Sequence, residues 1–236
     1  LTLAGAKVQI FEREALGSQA SGVAAGLLLP LAEHPEPGPF LNLALESLQM
    51  HRVLAQELRN QTGIDVHFEE TPVLIPAFSE GEAESLRNSA SRLERMGLDV
   101  SWVDAKEARE WEPAVSPEIL GALLSRAEAQ VEPYPLLLAL ARAAEQRGAT
   151  FNYTEVTGLR RTQSGGLEIL SGSQRSTAGV VVLAMGPWTS YTSQWLGTPI
   201  PVAPQRGQLL HLDASNCSLR CILFHKGSYL TPKPNQ

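Results

Sequence analysis

Cysteine, clustered basic residues and long apolar runs are all scarce in this chain, and each scarcity excludes a class of protein. The 236 residues include only two cysteines, Cys217 and Cys221, which are too few for a disulfide framework. No pair of histidines lies near them, so a zinc site would lack ligands. We interpret both cysteines as reduced and structural, which favours a cytoplasmic protein.

The charge pattern argues against nucleic acid and membranes as main partners. The formal net charge is −6, and no run of Lys or Arg breaks the mixture of signs. The longest apolar run, residues 23–31, is too short to span a bilayer. The amino terminus lacks the basic start and apolar core of a secretion signal. The five histidines are scattered without metal-ligand spacing, so no metal site is predicted.

Strand and helix signals alternate along the chain. Apolar spacing and end signals predict helices over residues 40–62, 79–96, 133–147 and 188–196. Strands are predicted at residues 7–11, 73–77, 101–103, 122–125, 150–153, 156–161, 167–171, 179–184, 208–212, 221–224 and 228–231. The continuous apolar run 179–184 is typical of a strand buried on both faces. The order of elements predicts an α/β protein with a second, interleaved domain.

An acidic residue, Glu12, stands at the carboxyl end of the first predicted strand. In dinucleotide-binding folds such a carboxylate accepts hydrogen bonds from the two ribose hydroxyls. A glutamate after a strand is also often simply solvated, so both interpretations stay open. The glycine-rich phosphate-binding turn that should accompany Glu12 would lie before Leu1. We therefore expect the chain, which starts at Leu1 and stops at Gln236, to be cut at both ends.

A run of small residues, Gly-Ser-Gln-Ala-Ser-Gly-Val-Ala-Ala-Gly-Leu-Leu-Leu-Pro, occupies positions 17–30. Small side chains let a backbone lie flat against a large planar ligand, and the Ser21 hydroxyl could bind phosphate or ribityl oxygens. A flexible loop or a tightly packed helix start would have a similar composition. The run is too apolar for a solvated loop, which favours a ligand contact.

Glu12 and this run together resemble the D-amino-acid oxidase superfamily of FAD-dependent oxidoreductases, and within it the glycine oxidases most closely. Three further segments carry the resemblance: Gln-Val-Glu-Pro-Tyr at 130–134, Val-Val-Leu-Ala-Met-Gly-Pro-Trp at 181–188 and Pro-Gln-Arg-Gly-Gln at 204–208. The resemblance implies a Rossmann-like FAD-binding domain, residues 1–66 and 131–201, interleaved with an antiparallel-sheet substrate domain. That second domain would comprise residues 67–130 and an incomplete part, 202–236.

The resemblance also implies which residues bind FAD and substrate. The expected contacts are Glu12 and Arg13 with the adenosine, Ala20 and Ser21 with the pyrophosphate or ribityl chain, Ala25, Gly26 and Leu27 with the isoalloxazine, Val156 with the adenine, Gly186 near the flavin, and Tyr229 with the substrate carboxylate. Taken without the resemblance, Val156 is equally an ordinary core valine and Tyr229 a half-buried strand tyrosine. An arginine that clamps the carboxylate is expected beyond Gln236.

The implied activity is FAD-dependent oxidative deamination of glycine or another small amino acid or amine, with oxygen as oxidant and release of hydrogen peroxide. The resemblance connects this activity with thiamine biosynthesis, and assembly into a homo-oligomer stays open. One alternative is a flavin-dependent oxidase that modifies the wobble uridine of tRNA, which the negative charge disfavours. The other is a non-catalytic fragment without flavin, and we expect this chain alone to be inactive.

Overall fold

The computed structural model describes residues 1–163, 165–213 and 218–233. Seven α-helices span α1 Ala20–Val23, α2 Pro30–Glu33, α3 Pro39–Thr62, α4 Glu80–Arg95, α5 Ala105–Trp111, α6 Pro133–Gln146 and α7 Ser193–Leu196. Short 3-10 helices occupy Thr2–Ala4 and Gly186–Thr192. Among these described helices, none is both long and apolar enough to cross a bilayer.

Thirteen strands complete the described structure. They are β1 Gln9–Glu12, β2 Leu27–Leu28, β3 Glu69–Glu70, β4 Val73–Ala77, β5 Val100–Asp104, β6 Gly121–Ser125, β7 Ala129–Gln130, β8 Thr150–Tyr153, β9 Gly158–Arg161, β10 Leu167–Ser171, β11 Gln174–Ala178, β12 Ile222–His225 and β13 Ser228–Leu230. The mixture of helices with parallel and antiparallel strands makes this a mixed α/β fold.

The chain forms two compact units, and each is built from two separate segments. The first unit comprises Leu1–Val23 and Leu140–Leu209, and the second comprises Ala24–Ala139 and Leu210–Gln236. The assignment of one domain to FAD and the other to substrate, with the boundaries expected from the sequence, stays a prediction.

The first unit contains a parallel pair of strands, β1 with β8, and an antiparallel three-stranded sheet in the order β11–β10–β9. In the parallel pair Gln9 lies opposite Thr150 and Glu12 opposite Tyr153. The carboxyl ends of both strands therefore lie at the same edge, which is where α/β folds place their ligands.

The second unit is organised around a five-stranded sheet in the order β13–β12–β4–β6–β5. Alternation along the strands sends Leu74 and Leu124 into a core cluster on one face and Leu123 into a cluster on the other. Every residue of β6 is buried, as expected for a central strand that is covered on both faces. A smaller sheet, β2–β7–β3, belongs to the same unit.

Local signals in the sequence located several helix ends correctly. Helix α3 ends at Thr62, and Gly63 follows with a φ of 75°, a conformation that favours glycine. At the start of α4 the Ser79 hydroxyl accepts a hydrogen bond from the Glu82 amide, which caps the helix at the first residue of the predicted range. The Glu82 carboxylate in turn accepts from the amide of Phe78.

Two predicted strands are wrong. Residues 179–185 form neither helix nor strand, and Val180 and Val182 are 80% and 70% exposed. An apolar run becomes a buried strand only where neighbouring strands cover it, and among the described residues β1 pairs with β8 alone. Residues 208–212 also lack strand pairing.

Some short elements were not predicted at all. Helix α5 begins at a complete capping box, in which Asp104 and Glu107 each bind the other's backbone amide. The Asp-x-x-Glu spacing in the sequence could have revealed this helix. Strands β2, β3 and β7 have only two residues each, which is too short for a periodic signal.

Candidate functional site

The carboxyl edge of the β1–β8 pair brings together two of the residues predicted to bind the cofactor. Glu12 is the last residue of β1, and Val156 follows the end of β8 by three residues. Both side chains are half-buried. The Glu12 carboxylate accepts a hydrogen bond from the Glu14 amide at 3.0 Å, which turns the chain just after the strand. An acid at such an edge suits a ligand with vicinal hydroxyls.

Arg13 connects this edge with the segment that contains Gly186. Its guanidinium lies over the Trp188 ring, 5.1 Å from the centroid, and forms an ion pair with Glu14 at 3.1 Å. Trp188 and Gly186 share one 3-10 helix. The cation–π contact between Arg13 and Trp188 was not predicted from the sequence. Gly186 is exposed with a φ of 53°, and a Cβ added there would meet no neighbouring atom within 4 Å.

Ala20 and Ser21 form the first turn of helix α1, and both are exposed. The turn lies directly against the preceding loop, because a Cβ on Gly22 would overlap the carbonyl oxygen of Gly17. The close approach explains why position 22 needs glycine. It favours a tightly packed helix start, which the sequence left open as one explanation of the small-residue run. The contact of Ala20 and Ser21 with the cofactor stays a prediction.

The remaining predicted cofactor residues, Ala25, Gly26 and Leu27, lie in the second unit. Gly26 has a φ of 75°, and its carbonyl accepts a hydrogen bond from the Val131 amide at 2.9 Å. A Cβ there would overlap the Val131 carbonyl oxygen and lie 2.9 Å from Cδ of Pro133. Gly26 is therefore required both by its backbone conformation and by the close approach of its neighbours.

Two motifs that are widely separated in the sequence pair with each other here. Leu27 and Leu28 of β2 lie opposite Gln130 and Ala129 of β7. The small-residue run and the Gln-Val-Glu-Pro-Tyr segment thus form adjacent strands of one sheet. Sequence reasoning identified both segments but did not predict that they touch.

Tyr229 occupies the middle of β13 and is half-buried, opposite Phe224 of β12. The chain that follows it is attached to the β7 segment. The Thr231 hydroxyl donates to Oε1 of Gln130 at 2.9 Å, and Nζ of Lys233 donates to the Val131 carbonyl at 3.2 Å. Two hydrogen bonds therefore connect the residues after Tyr229 with Gln130 and Val131, the segment that packs against Gly26.

Glu128 is a buried acid that sequence reasoning missed. It is 1% exposed, and its Oε1 accepts the amide of Ala32 at 2.9 Å in the short helix α2. Burial raises the pKa of this carboxyl to about 8, although hydrogen bonds from backbone amides oppose the rise. Glu128 thereby caps a helix whose own N-cap residue, Leu29, offers no side-chain acceptor.

The cysteine prediction can be judged at one position only. Cys221 is a free, buried thiol, and burial raises its pKa to about 11. A thiol held neutral in this way is unreactive, in agreement with a structural role. Cys217 lies outside the described residues.

Comparison with known proteins decides the family. The sequence model for DAO, described as FAD dependent oxidoreductase, matches residues 1–236. The chain belongs to this family. Its cofactor is FAD, and the superfamily expected from the motifs is confirmed.

The similar proteins include glycine oxidases and a hydrogen cyanide synthase subunit. The chain is 35% identical to "Glycine oxidase" from Geobacillus kaustophilus over 230 residues, which is 96% of this chain and 61% of that protein. The crystal structure of glycine oxidase from the same organism matches with a TM-score of 0.85 at 30% identity, covering 99% of this chain and 63% of that one. A hydrogen cyanide synthase subunit from Pseudomonas aeruginosa is 31% identical over 225 residues, 92% of this chain and 52% of that protein.

The chain thus spans about three fifths of the length of the glycine oxidases it matches. The names of the relatives refer to different activities, glycine oxidase and a hydrogen cyanide synthase subunit among them.

Proposed function

We propose that the protein oxidises glycine or another small primary amino acid, using FAD and molecular oxygen. The observation that carries the proposal is the pairing of the Gly26–Leu27 segment with the Gln130–Val131 segment, to which the strand of Tyr229 is attached. Similarity to glycine oxidases over nearly the whole chain supports the choice of substrate class. FAD supplies the two-electron acceptor for the reaction.

The residues at the first unit's carboxyl edge fit the adenosine end of FAD in their chemistry. Glu12 offers carboxylate oxygens to ribose hydroxyls at a strand end, where α/β folds bind nucleotides. Arg13 adds a cationic, planar group that Trp188 orients. Val156 follows β8 at the same edge and would meet the adenine through its backbone, as the sequence resemblance implied.

The second unit would hold the ring of the flavin and the substrate. The carbonyl of Gly26 is held by the Val131 amide, and the backbone of this segment would lie beside the planar ring. The Tyr229 hydroxyl would donate a hydrogen bond to the substrate carboxylate and so orient the carbon that bears the amine. Such orientation contributes strongly to the rate when a cofactor does the electron transfer.

The net reaction balances with one water and one oxygen. The amino acid loses two electrons and two protons to become an imine, and oxygen takes them up as hydrogen peroxide. Water then adds to the imine and releases ammonia, so that glycine yields glyoxylate. We place the modified-tRNA activity second, because the net charge of −6 and the absence of a Lys or Arg run oppose binding to a polyanion.

A spectrum and a peroxide assay on the purified whole gene product test the proposal. We expect flavin absorption in the visible range and peroxide release when glycine is added. Tyr229→Phe should keep the flavin spectrum and raise the KM for glycine about fivefold, since it loses one hydrogen bond to a charged group. Tyr191→Phe is the matched control, because Tyr191 is 63% exposed and lies in the other unit.

Two results would count against the proposal in different ways. A protein without flavin absorption after incubation with FAD would leave the non-catalytic alternative in place. A flavoprotein that releases no peroxide with glycine or other small amino acids, but oxidises modified tRNA, would favour the second activity.

A further inference from the structure

Gln130 lies in β7, the central strand of the β2–β7–β3 sheet, and is 2% exposed. Its backbone lies opposite Leu27 of β2 and Glu69 of β3. Its side-chain Oε1 accepts from the Thr231 hydroxyl at 2.9 Å, and its Nε2 donates to Oγ1 of Thr71 at 3.1 Å. A buried amide with partners at both ends is fixed in one orientation, because losing a partner would leave a polar atom unsatisfied.

The strand that carries Tyr229 has little other support. Strand β13 has three residues, lies at the edge of its sheet and, among the described strands, pairs with β12 alone. Edge strands of this length are weakly held by their ladder. Thr231 follows Tyr229 by two residues, so the bond from Thr231 to Gln130 acts directly on the tyrosine's end of the strand.

Lys233 provides a second attachment of the same segment. Its Nζ donates to the Val131 carbonyl at 3.2 Å and pairs with Oε1 of Glu132 at 3.2 Å, with the side chain 11% exposed. Val131 is also the residue whose amide holds the carbonyl of Gly26. Gln130 and Val131 therefore contact the segment of Gly26 and Leu27 on one side and the segment after Tyr229 on the other.

We propose that Gln130 is a positioning residue that fixes the strand of Tyr229 against the Gly26–Leu27 segment through its bond to Thr231. The inference rests on the proposed function, since it assigns the substrate carboxylate to Tyr229 and the flavin ring to Gly26 and Leu27. The side chain of Gln130 acts on substrate through Tyr229 and sets where the carboxylate is held.

Thr231→Val removes the hydroxyl with little change of volume, and Thr231→Ser keeps it. Thr62→Val is the matched control, because Thr62 is a buried threonine of the same unit whose hydroxyl also donates, to the Leu58 carbonyl at 2.7 Å. The measurements are the flavin spectrum, the dissociation constant of acetate from its perturbation of that spectrum, and the KM and kcat for glycine.

We expect Thr231→Val to retain flavin, to raise the acetate dissociation constant and the KM for glycine about fivefold, and to leave kcat within about twofold. Thr231→Ser and Thr62→Val should behave like the wild type in acetate binding and KM. Gln130→Leu should also raise the acetate dissociation constant. It leaves the hydroxyls of Thr71 and Thr231 without this partner, so Thr231→Val is the decisive variant.

A double mutant separates positioning from general support. In a Tyr229→Phe background, Thr231→Val should cause no further loss, because its effect passes through the tyrosine hydroxyl. Three results would overturn the inference while leaving a working oxidase. They are fully additive losses in the double mutant, an equal loss in Thr62→Val, and wild-type acetate binding in Thr231→Val. A wild-type protein without flavin or glycine oxidation would instead remove the proposed function, and the inference with it.

Discussion

Two glutamates are almost fully buried in the second unit, and their surroundings differ. Glu112 is 0% exposed and accepts the backbone amides of Ala114, Arg220 and Cys221 at 3.0, 2.6 and 3.0 Å. These bonds connect the residue after α5 with the segment just before β12. Glu128 faces the start of the four-residue helix α2, and burial dominates its titration.

Glu128 should make the protein less stable as pH rises. Its native pKa of about 8 lies above the unfolded value of 4.5, so between them the native state holds a proton that the unfolded state has released. The contribution of Glu128 to stability is then fully present below about pH 4.5, and it is lost as the pH rises toward 8. Between pH 5 and 8 this group should lower the free energy of unfolding by on the order of a few kcal/mol, and Glu128→Gln should remove that decrease.

Urea unfolding at several pH values between 5 and 8 measures the effect. Glu118→Gln is the control, since Glu118 is an exposed glutamate of the same unit. The explanation fails if Glu128→Gln keeps the slope of the wild type or if Glu118→Gln changes it as much.

At the scale of elements, the contact between β2 and β7 depends on the glycine that precedes β2. Gly26→Ala should destabilise the protein more than Gly63→Ala, although both glycines have a φ of 75°. The left-handed conformation costs alanine roughly 1–2 kcal/mol at either position. At Gly26 the new Cβ also overlaps the Val131 carbonyl and approaches Pro133, whereas nothing lies within 4 Å at Gly63.

The additional loss at Gly26 should be about 1–3 kcal/mol, the usual cost of overpacking. Denaturant unfolding of the two variants side by side isolates this difference, because the backbone strain is common to both. Equal losses would mean that the strands move apart easily at this junction.

The sequence predicted long elements better than short ones. The 24-residue helix α3 shows several repeats of its apolar spacing, a proline in its first turn and a glycine after its end. Strands β2 and β7 form because they pair with each other, and a two-residue strand is too short to show an alternating pattern in the sequence. The apolar run at 179–184 had the composition of a buried strand, but burial depends on neighbours that composition does not reveal.

At the scale of the whole molecule, FAD should stabilise the folded protein by mass action. A ligand at a free concentration 100 times its dissociation constant adds about 2.7 kcal/mol to the free energy of unfolding. We expect Glu12→Gln to reduce this gain without changing the stability of the protein alone, because the amide oxygen can still accept from Glu14. Thermal unfolding with and without FAD measures both quantities.

FMN provides the matched ligand control, since it has the same flavin ring but lacks the adenosine. Glu12→Gln should weaken stabilisation by FAD and leave stabilisation by FMN unchanged. An equal reduction with both ligands would place Glu12 away from the adenosine. Stabilisation by FAD that survives the substitution in full would leave Glu12 as an ordinary solvated glutamate.

The sequence by itself determined what depends on neighbours along the chain: the major helices and their ends, most strands, and the ordered motifs that identify the flavin-dependent family. Only the tertiary structure decided how those motifs meet. Leu27 pairs with Gln130, and Gln130 binds Thr231 across 101 residues of chain. Helix periods and capping bonds act within a few residues, whereas packing selects partners by shape and by the need to satisfy buried polar groups.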